Sequence, residues 1–277
     1  MMLSSEVMGE GISDWSRFER LTPFRVRDVL LVASHFDHYL LEESGYLAEI
    51  MQEEYSDLNL SQAPRIIHSP DARDALRLLS AREFDLVITM ARVGEMDVKA
   101  FGTEAKRVIE GLPVVMLSHN TRELATLSAG DGIDRIFVWT GDSRILLSIC
   151  KLIEDERNVE NDVRDGDVQV ILLVEDSRRF YSAYLPLLYT QLVNQTTRLM
   201  GEGGNLHEKL LRLRARAKIL LASDMNSAKS IIDRYHNNII GIFTDGKFPN
   251  QGGQRDTAGL ELVRYAQEGH RYMPILF

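Results

Sequence analysis

Three acidic side chains stand where they could do chemistry together. Glu175 and Asp176 directly follow the apolar run Val170–Val174, and Asp245 follows Ile239–Thr244. Carboxylates that converge repel one another, and an oxygen-seeking divalent cation is the usual remedy. Mg²⁺ takes oxygen ligands at about 2.0–2.1 Å in octahedral geometry, with waters or phosphate oxygens completing the shell. With such a cation in place, an incoming phosphoryl group is shielded from the acids, and one aspartate can attack it to form an acyl phosphate. Taken singly, the residues have ordinary readings as well. Val174-Glu175-Asp176-Ser177 also suits a helix N-cap, with Asp176 or Ser177 as the cap, and Asp245 alone suits a loop acid. Their joint position at two strand ends, with Pro249 four residues after Asp245, favours a shared site.

Whether the three can meet depends on the elements that carry them. Short, continuous Val/Ile-rich runs recur along the chain, as in strands buried on both faces of a parallel sheet. Helix-length segments with helical spacing separate them, such as Ala75, Leu76, Leu78 and Leu79, or Ile145, Leu146, Ile149, Leu152 and Ile153. Alternating strands and helices predict an α/β class of doubly wound parallel sheets with right-handed crossovers. The pattern occurs twice. Leu30-Leu31-Val32-Ala33-Ser34 aligns with Leu172-Leu173-Val174-Glu175-Asp176, and Thr89-Met90 aligns with Thr244-Asp245. Ser34 to Met90 spans 56 positions and Asp176 to Asp245 spans 69, which puts an insertion of 13 in the second copy, within 191–216. A second insertion, of six, falls in Asn250–Arg255. In the flavodoxin-like strand order 2-1-3-4-5 the first and third strands are neighbours, so their carboxyl ends share one crevice. Ser69 reads as a helix N-cap with Pro70 in the first turn, Asp37 as the cap of an earlier helix, and Glu160–Asp167 as a polar linker.

Val174-Glu175-Asp176, then Asp245-Gly246-Lys247-Phe248-Pro249, then Gly259-Leu260-Glu261-Leu262, resemble the receiver domains of response regulators. The resemblance implies that Glu175 and Asp176 bind Mg²⁺, together with Asp245 and the backbone carbonyl of Lys247. It further implies that Asp245 is the phosphoacceptor, served by a histidine kinase or phosphotransfer protein. The hydroxyl residue that ends the fourth strand in that family would fall just after Phe277, and the lysine of the fifth strand is absent with that strand and the last helix. The expected domains are therefore 24–158 and a C-terminally truncated receiver at 168–277, part of a longer protein with a downstream output domain.

At the matching positions the first copy carries Ala33 and Ser34 for the acidic pair, Met90 for the phosphoacceptor, Gly94 for the proline and Trp139 for the lysine, although Ser118 keeps the hydroxyl. Without carboxylates it has neither metal site nor nucleophile, and it reads as a pseudo-receiver for docking or dimerisation. Two alternatives stand beside a phosphorelay role. Both copies could be phosphate-independent scaffolds, or the chain could be a metal-dependent phosphohydrolase, although those enzymes typically want Asp-x-Asp on the first strand.

The remaining features set bounds. Lys+Arg 32 against Asp+Glu 41 gives a formal net charge of −9, which argues against a dedicated nucleic-acid surface. The only cysteine, Cys150, excludes an intramolecular disulfide and fits a reducing cytoplasm. Apolar runs of about five residues fall far short of the ~20 needed to cross a bilayer, and Met1–Trp15 lacks the apolar core of a signal peptide. The basic stretch Leu206–Lys218 reads as a solvated helix face over acidic neighbours, with a helical hairpin of Phe180–Met200 and Leu206–Arg216 for a partner or second subunit as the sharper alternative; His207-Glu208 reads as solvated. Residues 195–200 and 210–222 also resemble a receiver-type region ahead of the catalytic domain in some bacterial proteins of the phosphoenolpyruvate synthase and pyruvate phosphate dikinase class, which would make the chain a regulatory N-terminus and no metabolic enzyme.

Overall fold

The computed structural model describes residues 19–43, 63–119, 130, 132–139, 141–142, 144–199, 214–250, 253–269 and 273–277. The first sheet contains β1 (Asp28–Val32), β2 (Arg65–Ser69), β3 (Leu86–Met90), β4 (Val114–Ser118) and β5 (Arg135–Val138), all parallel and ordered β2-β1-β3-β4-β5. Helices α1 (His35–Glu43), α2 (Ala72–Ala81) and α3 (Val98–Val108) lie between its strands in sequence, and α4 (Arg144–Gly166) follows β5. Every residue of β3 and β4 is buried, as their unbroken apolar runs require. Leu30 and Val32 pack with Ala75, Leu79, Phe101 and Met116 in its core.

The second sheet repeats the plan with β6 (Val170–Val174), β7 (Lys218–Ala222), β8 (Ile239–Thr244) and β11 (Ile275–Leu276), ordered β11-β8-β6-β7. In units of its own strands that is 2-1-3-4, the expected order as far as its four strands run. Its helices are α5 (Arg178–Leu199), α6 (Met225–Tyr235) and α7 (Ala258–Gly269). A hairpin of β9 (Phe248–Asn250) and β10 (Gly253–Arg255) lies between β8 and α7, so the six-residue insertion is the arm of an antiparallel turn. Val170, Leu172 and Val174 pack with Met225, Ile232 and Leu262.

The chain divides into two compact units. One comprises Arg25–Ile153 with Arg178–Tyr189; the other comprises residues 19–24, Glu154–Ser177 and Thr190–Phe277. Helices α4 and α5 are thus each divided between the units. In the first unit, α5 seals the open edge of β5: the Val138 N–H donates to Ser182 Oγ at 3.0 Å, and the Tyr181 hydroxyl donates to the Ile136 carbonyl. Burial pushes the Tyr181 phenol up to about 12, so it stays a donor. In the second unit, α4 does the same for the edge strand β7. Asp155 accepts the Ile219 N–H at 3.0 Å and takes both guanidinium arms of Arg216, at 2.9 and 2.8 Å. Two α-helical turns further on, Asp162 pairs with Lys218 at 2.8 Å and accepts the Thr22 N–H at 2.8 Å. These four charges are almost wholly buried and neutralise one another. Burial still holds the Lys218 ammonium below its ordinary range, with Asp155 and Asp162 pulling the other way.

Three local readings are corrected. Residues 160–166 are the last turns of α4, not a linker. Asp71 caps α2, accepting the Asp74 N–H at 2.9 Å, while Ser69 remains in β2, opposite Val32. Ser34, rather than Asp37, heads α1: its hydroxyl accepts the Asp37 N–H at 3.1 Å and donates to the Asp37 carboxylate at 2.8 Å. Among the described residues no helix is long and apolar enough to cross a membrane.

Candidate functional site

The site begins with register. Val174 lies opposite Ala222 on one side and Thr244 on the other, so β6, β7 and β8 run out together. The Glu175 N–H donates to the Ala222 carbonyl at 2.9 Å, and the Asp245 N–H donates to the Val174 carbonyl at 3.0 Å. Pairing therefore continues one residue past each strand and brings the two acidic loops together. One carboxylate oxygen each from Glu175, Asp176 and Asp245 lies within 4.8 Å of the others. Glu175 is buried, Asp176 half-buried and Asp245 exposed, so the cluster runs from the interior to solvent.

Two backbone donors steady it. The Ser177 N–H donates to Glu175 Oε1 at 2.9 Å, and the Gly246 N–H donates to Asp245 Oδ1 at 2.6 Å. Burial pushes the Glu175 carboxyl up to about 7; the Ser177 N–H opposes this, while Asp245 and Asp176 add to it. Asp176 is raised for the same first reason, burial, with Asp245 adding. No basic side chain among the described residues forms an ion pair with the three. A cluster of hard oxygen donors whose charge is left uncompensated fits a hard divalent cation such as Mg²⁺.

Lys247 follows Asp245 by two residues, and its side chain pairs with Asp256 at 3.0 Å. Pro249 lies in β9, beside the fully buried Phe248. On α7, Glu261 accepts from Asn250 Nδ2 at 2.8 Å and from the Thr257 hydroxyl at 3.0 Å, tying the hairpin to the helix. Sequence reasoning located the insertion by counting but gave no sign of these tethers or of the Ser177 and Gly246 donors. Residues 206–213 of the proposed second arm, His207-Glu208 among them, lie outside the described residues, as do residues 200 and 210–213 of the stretch that resembles the phosphoenolpyruvate synthase class.

The first unit has the same frame. The Ala33 N–H donates to the Ser69 carbonyl at 3.0 Å, as Glu175 does to Ala222, and Val32 lies opposite Thr89 as Val174 lies opposite Thr244. Ala33 and Met90 are buried there, and Ser34 is spent on Asp37. Gly94 has φ of +87°, which proline cannot adopt. Ser118 is buried at the end of β4, and its carbonyl accepts the Trp139 N–H at 2.9 Å.

No family model matches the chain, and no curated protein matches it. Solved structures do. A signal receiver domain of an HD domain-containing protein from Pseudomonas fluorescens Pf-5 is 21% identical, with 50% of this chain and 94% of that one covered and a TM-score of 0.38. A response regulator receiver domain protein from Clostridium thermocellum is 14% identical, with coverages of 49% and 99% and a TM-score of 0.38. A response regulator from Burkholderia pseudomallei, solved with a phosphorylated aspartic acid, calcium ion and citrate, is 11% identical, with coverages of 68% and 95% and a TM-score of 0.34. The likeness is one of fold. Strand order and register themselves make both units flavodoxin-like, receiver-type α/β domains, the second with four sheet strands among the described residues.

Proposed function

We propose that the second unit is a Mg²⁺-dependent phosphoacceptor receiver and the first a phosphate-independent pseudo-receiver, acting together in phosphorelay signalling. What carries the reading is the meeting of Glu175, Asp176 and Asp245 at two adjacent strand ends, within 4.8 Å, against Ala33, Ser34 and Met90 at the same register of the first unit. Asp245, the exposed member, is the nucleophile. One carboxylate oxygen attacks the phosphorus of a phosphohistidine or small acyl phosphate, the bond from phosphorus to the donor breaks, and an aspartyl phosphate forms on Asp245. A Mg²⁺ held by Glu175, Asp176, Asp245 and the Lys247 carbonyl would supply neutralising charge for the approaching phosphoryl oxygens. The Gly246 N–H fixes one Asp245 oxygen and leaves the other for attack. A histidine kinase or phosphotransfer protein as donor, an output domain as recipient of the signal, a cytoplasmic setting and a possible homodimer complete the proposal, which makes the chain regulatory rather than a metabolic enzyme.

The test is incubation with acetyl phosphate and Mg²⁺, followed by mass spectrometry of the intact chain. A phosphoryl adduct that disappears with EDTA and in Asp245→Asn is expected. Undiminished labelling of Asp245→Asn removes the assignment; no adduct on the parent, with no Mg²⁺ binding, leaves the purely scaffolding alternative.

A further inference from the structure

We infer that Gly259, which lies outside the acidic cluster, is a positioning residue for Asp245; the inference rests on the reading of Asp245 given above. Gly259 is the second residue of α7, and its N–H donates to the Gly246 carbonyl at 3.1 Å. A Cβ at this position would fall inside contact distance of the Asp245 carbonyl oxygen, 2.7 Å from Cε2 of Phe277 and 3.1 Å from the Gly246 Cα. The first turn of α7 thus lies directly on the Asp245–Gly246 peptide. From the other side that peptide is held by β6, whose Val174 carbonyl accepts the Asp245 N–H at 3.0 Å. The helix cannot simply move away, because Thr257 and Asn250 anchor Glu261.

Glu175 is fixed independently, by its own N–H to Ala222 and by the Ser177 N–H. Anything larger than glycine at 259 therefore displaces Asp245 relative to Glu175 and Asp176, and the Gly246 N–H moves with it. Gly246 itself is not so confined, since its Cβ would meet only the Phe277 ring at 3.5 Å, an ordinary contact. A useful control lies in the first unit, where a Cβ on Gly102 would sit 2.5 Å from the Gly132 carbonyl oxygen, a crowding as severe but remote in sequence from the acidic loops.

The experiment uses the full chain and its Gly259→Ala and Gly102→Ala variants. Mg²⁺ affinity is read by NMR titration, the metal-free Gly246 amide by its ¹H–¹⁵N resonance, and folding by thermal unfolding. Gly259→Ala is expected to shift the Gly246 resonance without metal and to weaken Mg²⁺ binding about tenfold or more, the size typical when a support of a metal ligand is lost. Gly102→Ala lowers the melting temperature with affinity unchanged. Adding Phe277→Ala does not rescue Gly259→Ala, because the backbone oxygen remains in the way. Parent affinity in Gly259→Ala, an equal loss in Gly102→Ala, or rescue by Phe277→Ala overturns the positioning role alone. A parent chain that binds no Mg²⁺ overturns the acidic-site reading and this inference with it. Should Gly259→Ala not fold, amide hydrogen exchange of the parent decides: a Gly259 N–H bonded to Gly246 is protected, and exchange at the unstructured rate overturns the clamp.

Discussion

The carboxyl ends of the two sheets share strand register and pairing but carry different side chains at three corresponding positions, Ala33, Ser34 and Met90 against Glu175, Asp176 and Asp245. Both central strands run out between the same two neighbours, both extend their pairing by one residue, and in both units the helix after the second strand is capped by an aspartate two residues past that strand. Asp71 accepts from Asp74 N, and Asp224 accepts from Asn226 N and Ser227 N. Frame and chemistry are therefore separable in this molecule. Packing maintains the frame in either unit, whereas the acidic trio Glu175, Asp176 and Asp245 has no counterpart at the matching positions of the first.

The most severe way to break that comparison is to make the second unit resemble the first. Glu175→Ala combined with Asp176→Ser is expected to abolish Mg²⁺-dependent labelling and Mg²⁺ binding, with the circular dichroism of the fold retained. Labelling at parent levels would mean that the acidic pair has no part in the site.

Next come the charges that hold the units. Asp155→Ala strands Arg216 and the Ile219 N–H in the interior and is expected to cost about 3–5 kcal/mol in urea unfolding. Asp28→Ala, whose carboxylate joins Arg65 at 2.7 Å and Arg82 at 2.8 Å on the surface of the first unit, should cost no more than about 1 kcal/mol. Equal losses would contradict the burial difference.

A pH series sharpens the contrast at intermediate size. The unfolded chain releases the Glu175 proton near 4.5 and the folded chain near 7. The unfolded state therefore loses its proton first, and metal-free stability falls as pH rises between those values, with the loss complete above the upper one. The expected decline is on the order of 1–2 kcal/mol. Glu175→Gln should flatten it and Mg²⁺ should offset it, as followed by chemical denaturation from pH 4 to pH 8 (the chosen range of roughly four units brackets both titrations). A rise in stability over this interval attributable to Glu175 would reverse the assignment.

The smallest effects should be equal in the two units. Asp71→Ala and Asp224→Ala each remove an N-cap and are expected to cost about 1 kcal/mol. A marked inequality in thermal unfolding would show that the shared frame is less symmetrical than its hydrogen bonds.

Much of this was legible in the sequence because buried parallel strands leave short apolar runs, and Glu175, Asp176 and Asp245 sit immediately past such runs. Alignment of the copies also placed Ala33, Ser34 and Met90 at the correct register. The C-terminal part of α4 was illegible for a physical reason. Asp155 and Asp162 fall on one helix face, seven residues apart, and look like solvated polar positions until Arg216 and Lys218 meet them from some 60 residues along the chain. Ser69 looked like a cap because its pairing with the sheet, set by the register with Val32, leaves no local trace. Gly259 was visible as part of a motif, but the nearness of the Asp245 carbonyl is a property of the folded backbone alone.

The division of α4 and α5 between the units bears on how the protein can be taken apart. A fragment stopping at residue 167 leaves β5 without Tyr181 and Ser182, its hydrogen-bonding groups bare for any stray strand to join. A fragment starting at 168 keeps Lys218 and Arg216 but discards both aspartates that neutralise them. Severing the polypeptide at one point therefore damages both halves, and isolated pieces would report the wound rather than the native modules.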